Sequence, residues 1–164
     1  MQSLIPIAEE VGALLLAKRQ TVAISESSSG GLISAALLAV AGASRFYRGS
    51  GVIYTPQAFR GLMGLTRDDL GDMRSSTEPY ARLMARTIRE KLNADWGLCE
   101  TGAAGPSSNG YGDPAGHSCL ALAGGEPYME WSDTLQTGAT DRVENMYAFA
   151  RHALIGFQVM LEAD

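Results

Sequence analysis

Cysteine, histidine and lysine are all scarce in this chain of 164 residues, each occurring twice. Cys99 and Cys119 both sit in apolar, strand-like runs, so buried reduced thiols are expected. His117 and His152 lie far apart and share no ligand spacing with the cysteines, which argues against a zinc site; no metal and no cofactor is expected. Basic residues are outnumbered 13 to 18, a net charge of −5, so a broad basic face for nucleic acid is absent. Long apolar runs are missing too. Val11 to Ala17 is too short to span a bilayer and follows Glu9 and Glu10, unlike a signal peptide, so no membrane association and a cytoplasmic location are expected.

What remains is the composition of a globular protein, 46% hydrophobic and 19% charged, and residues 1–164 fit one domain with a real core. Acids are also missing locally. None occurs between Glu26 and Asp68, whereas Arg45, Arg48, Arg60 and Arg67 all do. If these arginines gather in space, they suit a small anionic ligand; if not, they are scattered and solvated.

Helical and strand-like periods alternate. Leu4, Ile7, Ala8, Val11, Leu14 and Leu15 recur at helical spacing over roughly 3–19. Thr21 to Ser25 reads as a strand, Gly31 to Val40 as an alanine-rich helix and Gly51 to Tyr54 as a second strand. Pro56 suits the first turn of a helix through Leu62, and Thr66 to Leu70 forms a short turn. Thr77 caps a long helix marked by Ala81, Leu83, Met84, Ile88 and Leu92, and Trp96 to Glu100 is a buried strand. Ser107 to Pro114 is too rich in turn residues for regular structure, and is either a flap or a surface turn. Ser118–Ala123 and Tyr128–Leu135 make a hairpin, and Thr140, helped by Asp141, caps a last helix through Leu161. The pattern predicts an α/β fold, a three-layer α/β/α sandwich with a mixed β-sheet.

Chemistry concentrates in two loops that each follow a strand. The first is Glu26-Ser27-Ser28-Ser29-Gly30-Gly31, and the second is Thr101-Gly102-Ala103-Ala104-Gly105-Pro106. Ligands of open α/β sheets bind beyond the carboxyl ends of parallel strands. A serine between a strand and a helix projects from a sharp turn, near backbone amides that can hold a phosphate or an oxyanion. The same residues also make good helix caps and glycine turns. Tyr54, between the loops in sequence, either lends its phenol to a site or is a half-buried core tyrosine.

Together these segments resemble the CinA C-terminal domain family, whose single-domain members are nicotinamide mononucleotide deamidases. The family pattern Glu-Ser-Cys-Thr-Gly-Gly is similar to Glu26–Gly31, Gly-Val-Thr-Tyr to Val52-Ile53-Tyr54, Thr-Gly-Ile-Ala-Gly-Pro to Thr101–Pro106, Pro-Val-Gly-Thr to Pro114–His117, and Gly-Asp-Arg to Thr140-Asp141-Arg142. The resemblance runs in order from Thr21 to Leu154 and implies hydrolysis of a carboxamide with release of ammonia. It implies Ser27 as nucleophile, with Tyr54 and Thr101 as further catalytic positions. It implies Glu26, Ser29, Gly30, Gly31, Gly102, Gly105 and Arg142 as binding positions for a small anionic, nucleotide-like substrate, with Arg142 for its phosphate. It also implies a homo-oligomer.

The departures from the pattern are specific. The family's lysine after its tyrosine is Phe59 here, its lysine before Pro-Val-Gly is Asp113, and a second arginine of the last helix is Met146. Neither Lys18 nor Lys91 falls in a motif. A serine is a poor nucleophile without an adjacent base, and Phe59 cannot take a proton. Glu26 and His117 are the candidate substitutes. Three readings stay open: a deamidase-type hydrolase, an amidase with another substrate, and a binding module that kept the cradle and lost the chemistry.

Overall fold

A computed structural model describes all residues from Met1 to Asp164. Five strands form one sheet: β1 (Val22–Glu26), β2 (Tyr47–Val52), β3 (Trp96–Ala103), β4 (His117–Gly124) and β5 (Met129–Gln136). Their order is β2-β1-β3-β4-β5, with β1 parallel to both neighbours and the β3–β4 and β4–β5 pairs antiparallel. The helices are α1 (Ile5–Lys18), α2 (Leu32–Leu38), α3 (Pro56–Met63), α4 (Arg67–Leu70), α5 (Glu78–Lys91) and α6 (Arg142–Ala163).

The period of two along the strands sorts side chains between two cores. Val22, Ile24, Trp96, Leu98, Leu120 and Leu122 face α1, α2 and α6, together with Phe46 and Phe157. Ala23, Cys99, Cys119, Ala121 and Ala123 face α5 and α3, and Phe59 stacks on Tyr80 there at 6.1 Å. This is the expected three-layer sandwich with a mixed sheet. Both cysteines are free and buried, and burial holds both thiols above their ordinary pKa. No helix is long and apolar enough to cross a membrane.

Two strands and two helix caps differ most from the sequence reading. β2 begins at Tyr47 rather than Gly51, because its backbone pairs in parallel with β1 from Val22 onward. Arg48-Gly49-Ser50-Gly51 has little strand propensity, but an edge strand is set by its neighbour's hydrogen bonds. β3 runs on through Thr101-Gly102-Ala103, which pair with Cys119, Ser118 and His117, so these residues belong to the ladder and the second loop starts at Ala104. The last helix is capped by Asp141, not Thr140: the Asp141 carboxylate accepts the Glu144 N–H at 2.8 Å. Thr77 stands at the start of α5, but its hydroxyl donates to the Arg74 carbonyl instead of capping the helix.

Candidate functional site

Parallel pairing of β1 with β3 puts both carboxyl ends on one side of the sheet, so the loop after β1 and the end of β3 meet. Glu100 joins them. This buried carboxylate, 1% exposed, accepts the N–H groups of Ser27 and Ser29 at 3.1 and 2.8 Å. It also accepts the hydroxyls of Ser28, Ser29 and Ser118 at 2.5, 2.8 and 3.1 Å. Sequence reasoning missed Glu100, although a carboxylate inside an otherwise apolar strand was a visible signal.

Two cavities open at this junction. The larger, of about 780 Å³, is walled by Ser27, Tyr54, Phe59, Thr101, Gly102, Arg67 and the segment Leu70 to Ser76 among others. The smaller, of about 240 Å³, is walled by Ser28, Gly102, Ala104, Gly105, Ser107, Ser108 and Arg142. Tyr54, Gly102 and Asn109 border both. Gly102 has no room for a side chain, since a Cβ there would lie 2.3 Å from the His117 carbonyl oxygen. Tyr54 is 59% exposed, and Arg142 ties its hydroxyl (3.0 Å) to the Gly105 carbonyl (2.6 Å).

The predicted site residues therefore divide. Ser27, Tyr54, Thr101, Gly102, Gly105 and Arg142 line the cavities. Glu26, Ser29, Gly30 and Gly31 line neither. Glu26 is 0% exposed; it accepts the Gly31, Ile33 and Ser34 N–H groups and the Ser34 hydroxyl, and shares the one Ser29 hydroxyl proton with Glu100. The amides at the start of α2 are thus occupied by the chain's own carboxylate rather than free for an anion. Ser29 is buried between Glu26 and Glu100, while Gly30 and Gly31 turn the chain into α2. A substitute base does not come from His117 either. Its ring is 8% exposed and borders neither cavity; Nε2–H donates to the Ser76 carbonyl at 2.8 Å, and Nδ1 accepts from the Gln136 amide at 2.6 Å. The Ser27 hydroxyl makes no hydrogen bond within the protein, and Phe59 presents only an apolar ring to the same cavity.

The cavity is cationic. Arg60, Arg67 and Arg74 line it against one carboxylate, Asp72, and Arg60 and Arg67 form no ion pair. Arg45 and Arg48, from the same acid-free stretch, do not take part, and Arg74 lay outside it. Ser76 holds Arg74 in place from a left-handed backbone, φ 60°, its N–H on Thr101 Oγ1 at 3.2 Å. Arg74 forks onto both oxygens of Asp113 at 2.6 and 2.9 Å and lies 5.0 Å from the Tyr111 ring. The irregular segment 107–114 is therefore a turn anchored over the cavity rim.

The Arg74 guanidinium holds the Asp113 carboxyl below its ordinary pKa. A lowered folded value stabilises the anchored turn fully above the unfolded pKa, about 3.9, and the stabilisation is lost as pH falls through the folded value. Amides of 109–113 are expected to keep their hydrogen-exchange protection at pH 5 and to lose it only as the pH falls below the ordinary carboxylate value of about 3.9. Arg74→Ala should exchange about fivefold faster already at pH 7, the scale of a partly exposed ion pair of about 1 kcal/mol. Identical exchange in the two proteins at pH 7 would remove this anchor.

The profile of the CinA C-terminal domain family matches residues 4–161. A CinA-like protein from Gloeobacter violaceus is 39% identical over 118 residues, covering 72% of this chain and 28% of that one. A CinA-like protein from a Picosynechococcus species is 33% identical over 156 residues, covering 94% and 37%. The chain thus spans only about a third of the length of these curated relatives. Among solved structures, a competence-damaged protein (CinA) superfamily protein from Klebsiella pneumoniae superposes with a TM-score of 0.89 at 22% identity, covering 98% of this chain and 99% of that one. A competence/damage inducible protein from Agrobacterium tumefaciens gives 0.87 at 26% identity, covering 97% and 95%.

Proposed function

Because the chain belongs to the CinA C-terminal domain family, we propose that it is an amidohydrolase of the nicotinamide-nucleotide deamidase type. It converts the carboxamide of nicotinamide mononucleotide to the acid and ammonia, with a hydroxyl of the loop after β1 as nucleophile. One observation carries the reading: the ends of β1 and β3 come together around adjoining cavities that bring loop hydroxyls, the Tyr54 phenol and guanidiniums to one place. A larger cavity of about 780 Å³ lies in the size range of small-molecule sites. Its unpaired Arg60 and Arg67, and Arg142 at the smaller cavity, suit the phosphate of a mononucleotide. The resemblance gives the attack to Ser27, and the partner is a small anionic ligand. Self-association into a homo-oligomer belongs to the same proposal.

The test is ammonia release from nicotinamide mononucleotide by the purified chain between pH 6 and 10. Turnover well above the rate without protein is expected, and a silent assay across that range defeats the reading. One observation favours a second reading, a binding module without turnover: Glu26 and His117 are engaged and Phe59 is apolar, so no free base stands beside Ser27. That reading predicts a ligand-dependent rise in melting temperature without ammonia.

A further inference from the structure

The hydroxyl of this loop that does meet a carboxylate is its neighbour's. Ser28 Oγ donates to Glu100 Oε1 at 2.5 Å, and Ser28 borders the smaller cavity. A nucleophile in hydrogen-bond reach of its base, with the base oriented by further groups, is the general signature of an activated hydroxyl. Glu100 is so oriented: the Ser27 and Ser29 N–H groups and the Ser29 hydroxyl hold Oε2, and Ser118 supports Oε1. We propose that Ser28 and Glu100 form a nucleophile–base dyad, and that acyl transfer runs through Ser28 in the smaller cavity rather than through Ser27.

The surroundings fit that chemistry. The backbone N–H groups of Ser28, Ala104, Gly105, Ser107 and Ser108 have no acceptor in the protein, and all five residues wall the smaller cavity. They are donors available to a developing oxyanion or an anionic substituent, beside the Arg142 guanidinium. A second buried serine–glutamate pair supplies an internal contrast. Ser34 donates its hydroxyl to Glu26, but Ser34 sits within α2 and borders neither cavity. Only the Ser28 pair is both coupled and presented to a cavity.

The inference deepens the amide-hydrolysis reading and rests on it for the substrate. Ser28 Oγ bonds to the carboxamide carbon while its proton passes to Glu100. The carbon–nitrogen bond then breaks, and Glu100 returns that proton to the leaving ammonia. Water attacks the acyl-serine ester, giving one proton to Glu100; the ester bond breaks, the acid leaves, and the proton returns to Ser28 Oγ. No oxidant, metal or second substrate is needed.

The experiment does not depend on the nucleotide. The whole chain is treated with phenylmethanesulfonyl fluoride, and the modified residue is located by peptide mass spectrometry. A single adduct on Ser28 is expected, absent from Ser28→Ala and formed about a hundredfold more slowly in Glu100→Gln, the lower end of what a general base contributes. An adduct on Ser27, no adduct, or an equal rate in Glu100→Gln overturns the dyad. Glu100→Gln removes an acceptor that five donors share and can fail to fold, so Ser28→Cys supplies an independent measurement. Its new thiol must react with iodoacetamide faster than Cys99 or Cys119, which are 1% and 2% exposed; if it does not, position 28 is not presented to the cavity and the dyad falls. Labelling of Ser28 together with a silent ammonia assay supports the dyad and removes only the nucleotide substrate.

Discussion

Glu26→Ala lowers the stability of the fold by about 3 kcal/mol, although the residue touches no cavity. Two effects oppose each other. The substitution orphans the N–H groups of Gly31, Ile33 and Ser34, which Glu26 accepts at 3.0, 3.1 and 2.8 Å. At about 2 kcal/mol for each buried unpaired donor, that costs about 6 kcal/mol. It also removes one of two carboxylates that approach the same atom, because Glu26 and Glu100 each lie 2.8 Å from Ser29 Oγ. Those two distances put the carboxylate oxygens at most about 5.6 Å apart, where repulsion between two unit charges is about 3 kcal/mol at an effective dielectric of about 20. The orphaned amides win. For a chain of this length the melting temperature should fall by about 6–12 °C. Glu26→Gln, which relieves the repulsion and keeps one acceptor oxygen, should fall between wild type and alanine. Thermal unfolding of the three proteins checks the order, and an alanine variant as stable as wild type would show that the repulsion was the larger effect.

The same residue shows where sequence reading succeeds and where it stops. Apolar periodicity located four of the five strands and the main helices, because burial on one face or on both is written in the residues that are buried. It also located the first loop and, three residues early, the second, and a parallel pair must bring its carboxyl ends to the same edge. Roles within the loops were not legible. A glutamate, three serines and two glycines read equally well as a ligand cradle or a helix cap, and only the folded structure shows that Glu26 caps α2 while Ser27 and the buried Ser28 border the cavities. Glu100 was legible as an anomaly but not as a partner, because Ser27, Ser28 and Ser29 lie 71 to 73 residues earlier in the chain and Ser118 lies 18 residues later. β2 was misplaced for a related reason: a strand rich in glycine takes its register from β1 rather than from its own side chains. Arg74 carried no local signal at all; its partner Asp113 is 39 residues away.

Gly97→Ala is the other large effect, and it comes from the middle of the sheet. A Cβ at position 97 would lie 1.9 Å from the Ala85 carbonyl oxygen and 2.8 Å from Arg89 Cβ, both on α5. The first distance is about 1.5 Å short of ordinary contact, and a helix backbone cannot rotate aside as a side chain can. α5 lies this close because the facing surfaces are made of small residues: Ala81 and Ala85 on the helix, Ala23, Ala121 and Ala123 on the strands. The added methyl must lift the helix, and the loss should be about 3 kcal/mol, the upper end for overpacking a core. The consequence reaches the site through the chain. Ser76, two residues before α5, hangs from Thr101 Oγ1 and His117 Nε2, and it positions Arg74 at the cavity wall. A displacement of about 1 Å there can lower turnover about a hundredfold even where the variant stays folded. Denaturant unfolding and the ammonia assay read the two effects separately. Full stability in Gly97→Ala would mean that α5 does not rest on β3 at the distance that places Ser76.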